Sequence, residues 1–212
     1  IQAIGNAQID NAQSKFGGTS ALFDGTGDYL TINSDLQYLS GDFTIECWAR
    51  WNSVATQQTL WSLGNAGTDA IQIYNLTSAY SYVLYPDIGN RVGAIATHSA
   101  LTTGTWYHIA MVRSGSTITT YLNGTSVATM TWANTVVNGG VLTIGSTTGN
   151  TQNFNGWIDE LRISNTARYT ANFTTATAPF TNDANTLLLM HMDGTDASTT
   201  FIDDNGIADH TA

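Results

Sequence analysis

Basic side chains are almost missing from this sequence. Its 212 residues include one lysine, Lys15, and five arginines against 16 acidic residues, so the net charge is −10 at pH 7. Charged residues make up only 10% of the chain, far below the ~25% of an ordinary domain. Because an acidic surface repels phosphate backbones, the composition excludes nucleic acid as a partner.

Cysteine and long apolar runs are equally scarce. Cys47 is the only cysteine, so no internal disulfide is possible, and its place in the apolar run "FTIECWARW" predicts a buried, inert thiol. No apolar stretch approaches the ~20 residues that span a bilayer, so we expect no membrane insertion. With 34 threonines and a single lysine, the surface is typical of an extracellular, cell-surface or virion protein.

Helical periodicity is absent, whereas short β-forming runs recur about every 8–14 residues. The runs predict strands at 20–23, 29–32, 43–51, 58–63, 70–74, 81–85, 91–96, 106–113, 117–122, 126–131, 141–144, 156–163 and 186–192. Many strands without crossover helices indicate an all-β fold, either two packed antiparallel sheets or a closed barrel, and we favour the sandwich.

Turn dipeptides separate the predicted strands. Asn-Gly occurs four times and Asp-Gly twice, and both tolerate the positive φ of tight reversals. The pair at 123–124 lies between two alternating runs and predicts a β-hairpin. Residues 166–185 lack alternation, and they predict an extended return or linker held in place by Tyr169, Phe173 and Phe180.

Five motifs carry a family resemblance. They read "SALFDGTGDYLTI", "GDFTIECWARW", "TWYHIAMVRSGSTITTYLNGTSVA", "LTIGS" and "FNGWIDELRIS". In this order, over about residues 20–164, they resemble the LamG-like modules of the concanavalin A-like lectin/glucanase superfamily. The resemblance implies a two-sheet antiparallel jelly-roll sandwich. The chain is also similar to repeat modules in phage, virion and bacterial surface proteins.

The two ends depart from that resemblance. LamG-like modules open with an apolar strand that ends in an acidic turn, but the polar run "IQAIGNAQIDNAQS" precedes Lys15 here. The missing strand resembles the C-terminal "NTLLLMHMDG", so we expect an opening strand relocated to the C-terminus. The start at Ile1, without a signal peptide, indicates a processed chain or a fragment.

The predicted organisation has three parts. A jelly-roll body occupies 1–165, a return or linker 166–185, and the relocated strand 186–212. The relocated strand completes either this module, in which case the chain is a monomer, or a neighbouring copy. The second arrangement is β-strand exchange, which covers an exposed sheet edge and joins subunits head to tail.

Catalytic signals are missing. Glycan-cleaving enzymes of the resembled fold use paired carboxylates, and their glucanase branch carries E-x-D-x-x-E on one strand. Only two glutamates exist here, Glu46 and Glu160, on different predicted strands. The four histidines have no zinc-ligand spacing. We therefore predict a protein that is not an enzyme.

Calcium is the cofactor that the resemblance implies. In proteins of this fold a structural ion joins the opening strand, the following turn and the closing strand, which correspond here to Asp193, Asp24 and Asp159. Calcium prefers carboxylate and carbonyl oxygens. The alternative is that these residues only cap turns through backbone hydrogen bonds.

Glycan binding requires exposed aromatic rings beside polar groups. Candidate ligand-binding residues lie in runs that could share one sheet face: Trp61, Tyr74, Tyr80, Tyr82 and Trp132. The alternative is that these rings pack in the core of the sandwich.

Two functions follow from the sequence. The first is a non-catalytic extracellular adhesion or assembly module, one repeat of a surface or virion fibre joined to neighbouring copies by strand exchange. The alternative is a calcium-dependent, lectin-like carbohydrate-binding module that acts as a monomer. A fibre repeat should self-associate and bind no sugar, whereas a lectin should be a monomer with saturable affinity for glycans.

Overall fold

The computed structural model describes residues 1–33, 39, 41–65, 68–76, 79–87, 90–95, 101–132 and 140–206, with the backbone alone at 33, 65, 68–70, 76, 79–87 and 90–95. Two antiparallel sheets contain all the strands of this part of the chain. The predicted all-β sandwich is therefore confirmed. Within the described residues, no helix has the length and apolarity that crossing a membrane requires.

Seven strands form the first sheet, sheet A, in the order β1-β4-β13-β6-β7-β8-β9. Their bounds are Gln2–Ile4 (β1), Tyr29–Asn33 (β4), Val141–Ile144 (β13), Gln58–Asn65 (β6), Thr68–Leu76 (β7), Ala79–Asp87 (β8) and Asn90–Ile95 (β9).

Eight strands belong to the second sheet, sheet B, in the order β12-β11-β10-β5-β14-β3-β2, with β15 paired to β14. Their bounds are Thr125–Thr131 (β12), Thr117–Leu122 (β11), Trp106–Ser114 (β10), Phe43–Trp51 (β5), Asn155–Ser164 (β14), Ser20–Asp24 (β3), Gln8–Asp10 (β2) and Thr186–Met190 (β15).

Alternation along β5 explains how sheet B faces the core. Ile45, Cys47 and Trp51 belong to the buried cluster between the sheets, while Glu46 and Trp48 point to the outer face because side chains alternate along a strand. Burial raises the pKa of the Cys47 thiol far above its ordinary value. A buried thiol of high pKa is unreactive, as the sequence predicted.

The predicted hairpin is confirmed between β11 and β12. Asn123 and Gly124 both have positive φ, 49° and 77°. This is the conformation that a two-residue reversal between twisted strands needs, and both residue types adopt it readily. The turn aligns the strands from Leu122 opposite Thr125.

Strand β14 changes partner halfway. Its first residues pair with β3, its last residues pair with β15, and β5 runs along its other side. A β-bulge interrupts the β5 ladder between Asp159 and Arg162, and Glu160 there has φ of 53°. Strict alternation from the buried Ile158 would turn Glu160 toward the core. The extra residue instead puts Leu161 inside.

Residues 166–185, called the strap here, cover the outer face of sheet B. Tyr169 and Phe173 stack with centroids 3.5 Å apart and pack on a buried cluster from β10 and β11. Phe180 packs with Trp48. The side chains of sheet B that lie under the strap are consequently buried on its outer face as well.

The C-terminal segment docks on its own chain. Leu188 and Met190 of β15 are buried in the core, and beyond the strand the backbone of Ala197 and Ser198 bonds to both peptide groups of Ile9. Strands β1 and β2 were not predicted, because their sequence is polar and only Ala7 and Ile9 nearby are fully buried.

Candidate functional site

Asp159 has the most unusual environment of the predicted site residues. It lies on the outer face of sheet B, opposite Trp48. Its Oδ2 accepts hydrogen bonds from the backbone amides of Lys15, at 2.7 Å, and Phe16, at 3.2 Å. Its Oδ1 is buried and has no hydrogen-bond partner among the described residues. Burying a carboxylate oxygen without a partner costs folding free energy, and a cation beside this atom would reduce that cost.

Asp193 reaches the same loop from the C-terminal segment. Thr19 Oγ1 lies 3.3 Å from Asp193 Oδ1 and donates to the carbonyl of Met192 at 3.1 Å. Gly17 has φ of 66°, and a Cβ at that position would collide with the Asp193 carboxylate. Glycine is therefore required here both for the backbone conformation and for the close approach of the carboxylate.

Glu160 lies beside this pair, but its carboxylate is already engaged. One oxygen is 2.8 Å from His191 Nδ1, and the other accepts a 2.7 Å hydrogen bond from the backbone amide of Phe180. This contact was not predicted, because the bulge that turns Glu160 outward breaks the alternation of the strand and no sequence signal marks the bulge.

The electrostatics of the three carboxylates follow from burial and proximity. Burial raises the pKa of Asp159 to about 7, the amides of Lys15 and Phe16 oppose the rise, and the charges of Glu160 and Asp193 add to it. Burial also raises the pKa of Glu160. The site therefore disfavours its own negative charge, and either a proton or a cation relieves that cost.

The structure brings together two of the three predicted calcium ligands. Asp24 pairs with Asn155 at the start of β14, four residues from Asp159 along an extended strand. Its Oδ1 accepts from the amide of Thr26, as a turn cap does. In the described part of the chain, no three His, Cys, Asp or Glu side chains form a group that could hold a metal ion. Asp24 therefore falls outside the candidate site, which the structure restricts to Asp159 and Asp193.

A second polar cluster, absent from the sequence prediction, lies beneath the strap. Glu46 accepts two bonds from Arg162, at 2.7 and 2.9 Å, one from Tyr169 at 2.8 Å, and lies 3.1 Å from His108 Nε2. Its pKa is lowered despite full burial, because His108 and Arg162 favour the carboxylate. The four side chains come from three strands and the strap, so no local pattern in the sequence announces them.

The predicted aromatic residues do not form an exposed platform where their side chains are described. Trp61 is 1% exposed, Trp132 4% and Tyr74 5%. Trp61 and Trp132 belong to the core cluster. A ring buried to this extent offers no face to a sugar. The side chains of Tyr80 and Tyr82 lie outside the described residues, although the β7–β8 register places Tyr82 opposite the buried Ile73.

The fold and its motifs define a concanavalin A-like sandwich of the lectin and glucanase type. The Laminin_G_3 family model, described as concanavalin A-like lectin/glucanases superfamily, matches residues 24–172. This chain belongs to that family. The match confirms the resemblance of the motifs between residues 20 and 164. A search of curated proteins found no match.

Solved structures share the fold at low sequence identity. A Bacteroides ovatus protein to which carbohydrate binding is ascribed is 16% identical with a TM-score of 0.65, covering 97% of this chain and 56% of that one. A pentraxin from Limulus polyphemus is 17% identical with a TM-score of 0.60, covering 87% and 91%. The CBM40 of a Ruminococcus gnavus sialidase, bound to α2,3-sialyllactose, is 15% identical with a TM-score of 0.55, covering 64% and 81%.

The chain spans little more than half of the Bacteroides protein. The activity of such a longer protein is a property of its whole length. The similarities therefore establish only the fold of this chain.

Proposed function

We propose that this chain is a non-catalytic carbohydrate-binding module that acts outside the cell, at a cell or virion surface. The observation that supports it best is the similarity of nearly the whole chain, 97%, to the Bacteroides carbohydrate-binding protein. The sialyllactose complex of the Ruminococcus module adds a second sugar-binding relative of this fold. Adhesion to glycans is the role that such a module serves.

The two glutamates support a binding role over catalysis. Glu46 is tied to Arg162 and His108 beneath the strap, and Glu160 is bonded to His191 and to a backbone amide. A glycosidase needs one carboxylic acid to protonate the leaving group and a second carboxylate free to act on the sugar. Neither glutamate is free to act in this way.

Calcium at Asp159 and Asp193 is part of the proposal. The free Asp159 Oδ1 and the raised pKa of that carboxyl fit a hard cation. Calcium completes its coordination with backbone carbonyls and water. Bound there, the ion would tie the loop at residues 15–19 to the C-terminal segment and to β14, and its role would be structural.

A glycan array followed by calorimetric titration of the strongest ligand tests the binding function. We expect saturable binding of at least one oligosaccharide class by the monomeric chain in calcium-containing buffer. An array without any ligand, obtained with folded protein, contradicts the proposal.

Assembly by strand exchange is a second candidate. The observation that favours it is that β15 and the residues after it reach their docking site through the strap, which has no regular strand. The same contacts with β14 and Ile9 could be made to a neighbouring copy. Size-exclusion chromatography with light scattering, with and without calcium, separates the cases: a single 22.7 kDa species rejects exchange, and regular polymers support it.

A further inference from the structure

The few basic side chains are already engaged. Each described cation interacts with a carboxylate or lies over an aromatic ring. The pairs are Arg162 with Glu46, Arg168 with Asp183, Lys15 with Trp48, Arg50 with Trp157 and Arg113 with Trp132. The remaining arginine, Arg91, lies in a strand described by its backbone alone. Arg162 and Arg168 are neutralised by their carboxylates and Arg113 is buried, so only Lys15 and Arg50 are left among the described cations to meet an anionic ligand.

One end of the sandwich carries amides and hydroxyls in place of charges. Residues 51–64 and 141–158 contain no charged side chain. In space the two segments are joined, because the Asn52 amide donates to the Asn155 carbonyl at 2.9 Å and the Asn155 amide donates to Gln58 Oε1 at 2.9 Å. We call residues 52–59 and 147–155 the amide surface.

The amide surface is held rigid by its own hydrogen bonds. Thr147 and Thr151 bond to each other through side chains and backbone at 2.8 and 3.0 Å. Asn153 Nδ2 donates to Asn150 Oδ1 at 2.9 Å. Asn150 and Gln152 both have positive φ, 53° and 57°. Holding two non-glycine residues in this conformation costs energy, and preorganised polar groups are what weak sugar ligands need.

Gln152 presents the best-defined donor on this surface. Its Oε1 accepts from Thr59 Oγ1 and Gln72 Nε2, both at 3.1 Å, which fixes the orientation of the amide. Its amide nitrogen has no partner among the described residues, and the residue is half-buried. A fixed amide N–H₂ at the surface is a donor for a sugar hydroxyl.

We infer that the ligand is a neutral glycan and that the amide surface binds it, with Gln152 donating to a sugar hydroxyl. This inference rests on the proposed function and adds the ligand class and the place. Two acidic residues border the surface, since Asp24 pairs with Asn155 and the Asp24 amide donates to Asp28. An anionic sugar would meet their repulsion, while the neighbouring cation, Arg50, lies over Trp157 and donates to the Gly104 carbonyl.

Paired ligands test the ligand class. The array should carry neutral oligosaccharides, such as lactose and its neutral extensions, beside their sialylated and sulfated forms. We expect binding to neutral members and at least 10-fold weaker binding to the anionic partners. Binding restricted to anionic members overturns the inference and leaves the proposed function intact. No binding to any member overturns the proposed function itself.

Gln152→Glu tests the place. Glutamate retains an acceptor for Thr59 and Gln72 but replaces the donor with an oxygen, so we expect about 5- to 10-fold weaker binding of the best neutral glycan. Asn172→Asp is the matched control, because it makes the same chemical change on the strap and keeps the bond from the Ser126 amide. Equal affinities for both variants, with unchanged melting temperatures, overturn the site.

Discussion

The two ends of strand β14 lie in opposite chemical environments. At its start, Asn155 joins the neutral amide surface, where exposed polar groups bond mostly to one another. Near its other end, Asp159, Glu160 and Arg162 are ionisable and buried. One end places neutral groups in contact with water, and the other places ionic groups away from it.

The difference shows how a chain with few charges uses them. Arg162 and Glu46 are enclosed by the strap, where their attraction is strong because water is excluded. The amide surface instead keeps groups that exchange partners with water or sugar at little cost. The charged end consequently contributes to stability, and we assign recognition to the neutral end.

Replacing Glu46 should have the largest effect. Glu46→Gln leaves the buried Arg162 without its counter-charge, and breaking a buried pair in this way costs about 3–5 kcal/mol of unfolding free energy. Urea unfolding at pH 7 measures it. The reverse change at the amide surface, Gln152→Glu, should lower the unfolding free energy far less. Equal stability of Glu46→Gln and the wild type would show that the strap network contributes nothing.

Calcium should stabilise the charged end and leave the neutral end unaffected. At a free concentration of ~100 times its dissociation constant, an ion that binds only the folded state raises the unfolding free energy by about 2.7 kcal/mol. We expect EDTA to lower the melting temperature of the wild type, and Asp193→Asn to abolish the difference. Asp24→Asn is the control and should respond like the wild type, because Asp24 lies apart from Asp159. If Asp24→Asn alone removed the response, the site assignment would be incorrect.

Acid should weaken the Glu46 network beneath the strap. The pKa of Glu46 is lower in the folded protein than its ordinary value of 4.5. Its stabilising contribution is therefore fully present above pH 4.5 and is lost as the pH falls through the lower, folded pKa. One such group changes the unfolding free energy by at most about 1.4 kcal/mol per pH unit. Between pH 6 and pH 3, the unfolding free energy should fall less steeply for Glu46→Gln than for the wild type. The same pH dependence in both proteins would contradict this.

The exposed ion pair at the strap should have the smallest effect. Arg168 holds Asp183 through two bonds, at 2.8 and 2.9 Å, but Asp183 is 43% exposed. Exposed pairs contribute about 0–1 kcal/mol, so Asp183→Asn should lower the unfolding free energy by no more than about 1 kcal/mol. Thermal unfolding at low and high salt checks it. A loss comparable to that of Glu46→Gln would mean that the pair is the main attachment of the strap.

Most of the fold was predictable, since alternation and turn dipeptides mark long strands directly. The predicted strands at 43–51 and 117–122 coincide with β5 and β11. Strands β1 and β2 were missed because three-residue strands are held by main-chain bonds to β4 and β3, whose partners the sequence does not reveal.

The candidate site was predictable only in part. Asp159 and Asp193 were identified through the family resemblance, and they do approach the same loop. Asp24 was wrongly grouped with them. It pairs with Asn155, four residues before Asp159 on β14, and the order of the motifs does not show this separation. The buried aromatics Trp61 and Trp132 could not be told from exposed ones by composition, since a sandwich core needs the same residue types.

The contacts of the N-terminal loop also constrain the order of folding. Thr19 meets Asp193 across 174 positions of sequence, and Asn11 meets Asp196 across 185. Contacts of such long range form late and slow the folding of a chain. During synthesis the loop around Lys15 leaves the ribosome long before its partners exist. The nascent protein must therefore hold that segment unsatisfied until the residues around Asp193 and Asp196 have been added.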